Sequence, residues 1–189
     1  MNKSLYTLVI LFLICITASA TEFNIDKSKK NLVKFISDAP IEDFEGITEL
    51  IDGYMYWEGD DMMNNSQLYF EVDLNTIDTG IGLRNRHMRE NYLHTDKFRY
   101  ASYKGKFNNI KKVSENNYEV EVKGSMSIHG VTKPLTLKGK IMKNQNGLRI
   151  QGQFNISLVD HRIEVPEFMF LKISEIMDLR LDFYMKEKK

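Results

Sequence analysis

The chain has 189 residues, is 42% apolar and 28% charged, and balances 26 Lys and Arg against 26 Asp and Glu. That length suits one domain with a substantial core. The interleaved charges exclude the basic field that nucleic-acid binding requires, and a single cysteine, Cys15, excludes an intramolecular disulfide.

The first element is a leader. Lys3 supplies a positive flank, Leu5 to Ile16 is almost wholly apolar, and Ala18-Ser19-Ala20 is a small-residue cleavage pattern. The apolar run is shorter than the ~20 residues that a membrane span needs. Ile14 is too bulky to precede a lipid-modified Cys15. The expected boundaries are a cleaved signal over residues 1–20 and one domain over 21–189, giving a periplasmic or secreted product stabilised by packing alone.

Alternating apolar and polar residues then recur along the chain, the period of two of half-buried antiparallel strands. Short pieces come first, Val33 with Phe35 and Met55 with Trp57, followed by Leu68, Phe70, Val72 and Leu74. Gly80 to Phe98 lacks this period and is expected to be helical or looped. Tyr118, Val120, Val122, Met126 and Ile128 oppose Glu119, Glu121, Lys123, Ser125 and Ser127; Leu135, Leu137 and Ile141 oppose Thr136, Lys138 and Lys140. Leu148, Ile150, Phe154 and Ile156 form the next row, and Leu179, Leu181, Phe183 and Met185 the last. Hairpin-like connectors are expected at Asp52-Gly53, Glu58-Gly59-Asp60-Asp61, Asn64-Asn65, Glu115-Asn116-Asn117 and Asn144-Gln145-Asn146-Gly147. Gly124 and Gly139 fall on the apolar faces, where missing bulk permits bending or leaves room inside. About eight antiparallel strands with one longer insertion predict an all-β, up-and-down barrel without exposed edges.

The chemistry-bearing residues do not assemble into a catalytic pattern. There is no Gly-x-Ser-x-Gly or His-Glu-x-x-His motif. His87 and His94 are seven apart, whereas ligands on one helix stand three or four apart, and nothing completes a site around His129 or His161. His129 lies in an outward row beside a turn and is expected at the surface. No catalytic residue, metal or cofactor is expected. Two readings of the inward rows stand: a cavity for a long apolar lipid, lined by Phe35, Phe70, Val72, Leu74, Val120, Val122, Met126, Ile128, Leu137, Ile150, Phe154, Leu181 and Phe183, or a filled core that acts through its surface as an interaction or scaffold protein. Each buried methylene is worth ~0.8 kcal/mol, whereas a sugar or nucleotide would lose its water contacts in such an interior. Ten methionines suit an adaptable lining as well as ordinary core filling. Arg84 and His87 open the insertion beside the barrel mouth, where they would hold a ligand's polar head or fasten the segment to loop carbonyls. Strand-edge pairing would give a homodimer, and a lipid ligand implies transient membrane contact.

The segment Ser127-Ile128-His129-Gly130-Val131-Thr132-Lys133-Pro134-Leu135-Thr136-Leu137 resembles the signature turn of the YceI-like family. Val72-Asp73-Leu74, Ile77-Asp78-Thr79-Gly80, Arg84-Asn85-Arg86-His87-Met88 and Asp96-Lys97-Phe98 are similar to that family's strand, helix start and following Phe. The resemblance spans residues 23 to 185. It implies a lipocalin-like extended antiparallel barrel, secreted by bacteria, that binds a polyisoprenoid or another long amphiphile such as an isoprenoid quinone. It also implies sequestration or transport rather than catalysis.

Overall fold

A computed structural model describes residues 20–38, 43–168 and 171–188; the expected leader lies outside them apart from Ala20. Strands β1 (Ala20–Ile25), β2 (Leu32–Ser37), β3 (Phe44–Thr48), β4 (Ile51–Glu58) and β5 (Gln67–Asp73) precede the insertion. The long strands β6 (Tyr100–Lys112), β7 (Asn117–Ile128), β8 (Val131–Asn144) and β9 (Gly147–Ser157) follow it. A small hairpin of β10 (Glu167–Phe168) and β11 (Leu171–Lys172) leads to β12 (Ile176–Glu187).

Eight antiparallel strands close the barrel in the order β1-β4-β5-β6-β7-β8-β9-β12, with β12 returning to β1. One edge of β12 serves two strands in succession: Phe23–Ile25 pairs with Met185–Glu187, and Leu32–Ser37 pairs with Met177–Asp182. Asn31 bridges the break between them. Its buried side chain accepts from the Tyr184 amide at 2.9 Å and donates to the Asp26 carbonyl at 3.2 Å, so the interrupted ladder leaves neither group unpaired.

The insertion comprises a 3₁₀ turn at Leu74–Thr76, helix α1 (Gly82–His87) and a wider helical turn at Met88–Tyr92. No side chain caps α1 at Ile81. A helix this short is not stable alone, so tertiary contacts hold it. Among the described residues, no helix is long and apolar enough to cross a membrane.

The barrel has two unlike halves. Away from the insertion, the lower half is packed solid: Met55, Ile141, Leu148, Phe183 and Met185 are fully buried, and Phe23 stacks on Trp57 at 5.4 Å. Burying each such side chain stabilises the fold by about 1.5–3 kcal/mol. The half beneath the insertion is looser.

Two expectations are corrected. Asp52-Gly53 is no turn but lies inside β4; Gly53, at φ +143°, lets the β5 backbone come too close for a side chain, and the chain only bends at Glu49-Leu50, since β3 and β4 run in the same direction. The room at Gly124 is not empty. A Cβ there would lie 2.8 Å from the Tyr103 hydroxyl, and one on the paired Gly105 would lie 2.9 Å from the Tyr103 ring, so that ring fills the space. Gly139 serves closeness too, since a Cβ would meet the Gln151 carbonyl at 2.7 Å.

Candidate binding cavity

The looser half contains a cavity of about 120 Å³. Phe35, Phe70, Val72, Leu74, Met126, Ile128, Leu137, Phe154, Leu181 and Phe183 all line it. Val120, Val122 and Ile150 pack into the core outside it, and Arg84 and His87 are likewise outside. Sequence reasoning missed Val33, Lys34, Gly46, Ile51, Glu71, Ile77, Ala101, Ser102, Tyr103 and Leu179. Leu179 shares the period-two row of Leu181 and could have been included. Gly46 and Ala101 line the cavity by being small, which periodicity does not register.

Tyr103 and Phe183 make the floor, with Phe70 against Phe183 at 5.1 Å. The Tyr103 hydroxyl has one proton and two acceptors, the carbonyls of Val122 at 3.1 Å and Leu135 at 3.0 Å. Burial pushes its pKa up to about 12. Folding therefore favours the protonated phenol, a contribution fully present below pH ~10 and lost as pH rises through about 12. Tyr103→Phe should cost about 1–2 kcal/mol at neutral pH by leaving both carbonyls short of a donor. It should also flatten the alkaline loss of stability, which denaturant midpoints of both proteins on either side of pH ~10 will check.

The wall between β3 and the chain that follows β5 is a seam. Its backbone pairing is one exchange, Ile47 with Asp78, with both hydrogen bonds 2.9 Å long. Beside it a hydroxyl relay runs from the Leu50 amide to Thr48 Oγ1 (3.1 Å), then to Thr76 Oγ1 (2.8 Å), then to the Asp73 carbonyl (2.7 Å). Beyond it, residues of the sequence motif knot the start of the insertion. Asn85 Oδ1 accepts from the Thr79 amide and hydroxyl at 2.8 and 2.7 Å, while its Nδ2 donates to Asp78 at 2.7 Å. That bond and the Gly80 amide hold the Asp78 carboxyl below its ordinary pKa.

Arg84 donates to the Thr79 hydroxyl at 2.9 Å and carbonyl at 2.6 Å, and its guanidinium lies 4.5 Å from the Phe44 ring centre on β3. It thus fastens the insertion across the seam, one of the two roles open to it. His87 is exposed and hydrogen-bonds no described residue. The pair therefore separates: Arg84→Ala should lower stability by about 1–2 kcal/mol, whereas His87→Ala should leave the thermal midpoint within error. Equal midpoints for both variants would contradict the fastening role.

Three histidines clasp the top of the barrel. His129 is not a free surface residue: its Nδ1 donates to the His161 carbonyl at 3.3 Å, so its Nε2 accepts from His94 Nδ1 at 2.9 Å. His161, buried, donates through Nδ1 to the Val131 carbonyl at 3.1 Å. His129 and Gly130 both have positive φ, the geometry of a two-residue hairpin turn. A Cβ on Gly130 would strike the Phe98 ring, so the two sequence motifs meet here. Among the described residues, no cluster of three His, Cys, Asp or Glu side chains is placed to hold a metal.

The profile described as the YceI-like domain matches residues 23–185. Proteins called Protein YceI from Salmonella newport and Salmonella arizonae are 28% identical over 147 residues, 75% of this chain and 74% of theirs. The fold resembles Burkholderia cenocepacia BcnA (TM-score 0.69, 15% identity), covering 85% of this chain and 98% of that one. It also resembles a polyisoprenoid binding domain from Saccharophagus degradans implicated in plant cell wall breakdown (TM-score 0.68, 14% identity, 88% and 98% covered). At these identities, the structural likenesses bear on the fold alone.

Proposed function

The chain belongs to the YceI-like domain family, and from that premise we propose that it binds the apolar end of a long-chain lipid, an isoprenoid quinone or a similar amphiphile, for sequestration or transport without catalysis. The carrying observation is an apolar cavity with a closed floor and a weakly paired side wall. A dry cavity of ~150 Å³ admits a benzene-sized guest. By that measure, about 120 Å³ takes roughly one five-carbon isoprene unit. Burying five carbons at ~0.8 kcal/mol each gives about 4 kcal/mol, a factor near 10³ in affinity. The rest of a longer chain leaves through the seam, which widens to pass it. The likeness in fold to the Saccharophagus degradans polyisoprenoid binding domain supports this ligand class.

Native mass spectrometry of protein purified without detergent, followed by lipid extraction, tests the reading. A co-purifying lipid with an apolar tail is the expected result. A protein that takes up no lipid even when offered solubilised polyprenol points to the filled-core scaffold, whose packing the lower half already has. The proposed site of action is the periplasm or the exterior. Intact mass of the exported protein should show 169 of the 189 residues, beginning at Thr21, with no adduct.

A further inference from the structure

The start of the insertion carries an apolar surface that no contact among the described residues explains. Ile81 and Leu83 are 53% and 55% exposed, and Gly80 and Gly82 beside them face open space. Helix α1 is amphipathic in an unusual sense. Its protein-facing side carries Arg84 and Asn85, used up in the knot, and its outward side carries Leu83, Arg86 and His87. The Arg86 side chain is exposed and hydrogen-bonds no described residue, whereas Arg89 is half-buried and close enough to the Asp78 carboxyl to help lower its pKa. Aliphatic side chains directed into solvent beside the exposed Arg86 match an anionic bilayer, with acyl chains for the former and a phosphate for the latter. The surface adjoins the seam, because Arg84 of the same helix rests on Phe44 of β3.

Building on the proposed carrier function, we infer that Ile81, Leu83 and Arg86 form a docking lip that sets the protein on an anionic phospholipid surface with the seam turned towards it. Two aliphatic side chains and one cation give a reversible contact, as a carrier that must leave again requires. The lip would act only at the membrane, so equilibrium affinity for a solubilised lipid does not depend on it.

Co-sedimentation with vesicles of phosphatidylethanolamine and phosphatidylglycerol, against vesicles of phosphatidylcholine alone, tests the lip. Wild-type protein should bind the anionic vesicles preferentially. Binding should fall at least about tenfold in the Ile81→Asp Leu83→Asp double variant and in Arg86→Glu. Leu83→Asn, a milder change, should weaken it in the same direction. Val113→Asp, at a residue 57% exposed on the β6–β7 turn at the end of the barrel away from the insertion, should bind like wild type. Equal loss in Val113→Asp, or no preference of wild type for anionic vesicles, overturns the inference. So does a dimer that Leu83→Asn abolishes in the absence of vesicle binding. Uptake of detergent-solubilised polyprenol by the same proteins keeps the two ideas apart. Normal uptake without vesicle binding sinks the lip alone, and absent uptake by wild type sinks the carrier function.

Discussion

Ala101→Phe should weaken lipid binding by about two orders of magnitude or more while leaving the denaturant midpoint close to that of wild type. Ala101 lines the cavity and pairs across the sheet with Val72, so a ring added there projects into space that is empty without ligand. A phenyl group would occupy most of about 120 Å³, displacing the isoprene unit whose burial contributes roughly 4 kcal/mol. Val122→Phe makes the contrast. Val122 is 7% exposed and outside the cavity, and a Cβ on Gly105 would already lie 3.0 Å from its methyl group. Extra bulk there overpacks the core at a cost of about 1–3 kcal/mol. Titration with a fluorescent polyprenol and urea unfolding of both variants decide the matter. If Ala101→Phe binds like wild type, the ligand lies elsewhere.

A covalent bolt across the seam should have the second largest effect. Thr48 Oγ1 and Thr76 Oγ1 are 2.8 Å apart, so two sulfurs in their places reach the ~2.05 Å of a disulfide with little backbone movement. The sequence has one cysteine, Cys15, within the leader expected to be cleaved, so Thr48→Cys Thr76→Cys would introduce a clean pair. Oxidised protein should exchange bound lipid at least about tenfold more slowly, a rise of ~1.4 kcal/mol in the barrier, and reductant should restore the wild-type rate. Stopped-flow exchange with and without reductant measures this. Identical rates would mean that ligand enters through the top, past the histidine clasp.

The barrel was legible in sequence wherever alternation ran unbroken, as in β7 to β9 and β12. Strand β6 escaped because Gly105 removes one inward side chain and a bulge at Asn108 shifts the register, so Tyr103, Phe107 and Ile110 never form a period-two row. β1 and β3 are short, and each carries a small or polar residue where a full row would be apolar. The candidate site was legible as a set of inward rows. Which part of each row borders a cavity was not, because the rows Val120-Val122 and Met126-Ile128 look alike and differ only in what lies across the barrel. The motif around Arg84 was visible, but its use required the position of Phe44, 40 residues earlier. The pairing of His94 with His129 likewise joins residues 35 apart through two left-handed backbone positions, which no local pattern announces.

Strand β12 bonds to β9 on one edge and to both β1 and β2 on the other, and it is also the last strand in sequence order. The ring therefore cannot close until residues 176–187 are available, however much of the preceding chain has been made. Closure joins Phe23 to Glu187, contacts of very high sequence separation that form late and slowly. For a protein exported as proposed, this wiring delays completion during synthesis. A nascent chain emerging leader first holds β1 and β2 without the strand that fixes them, and so stays loose enough to be threaded across a membrane before it can lock.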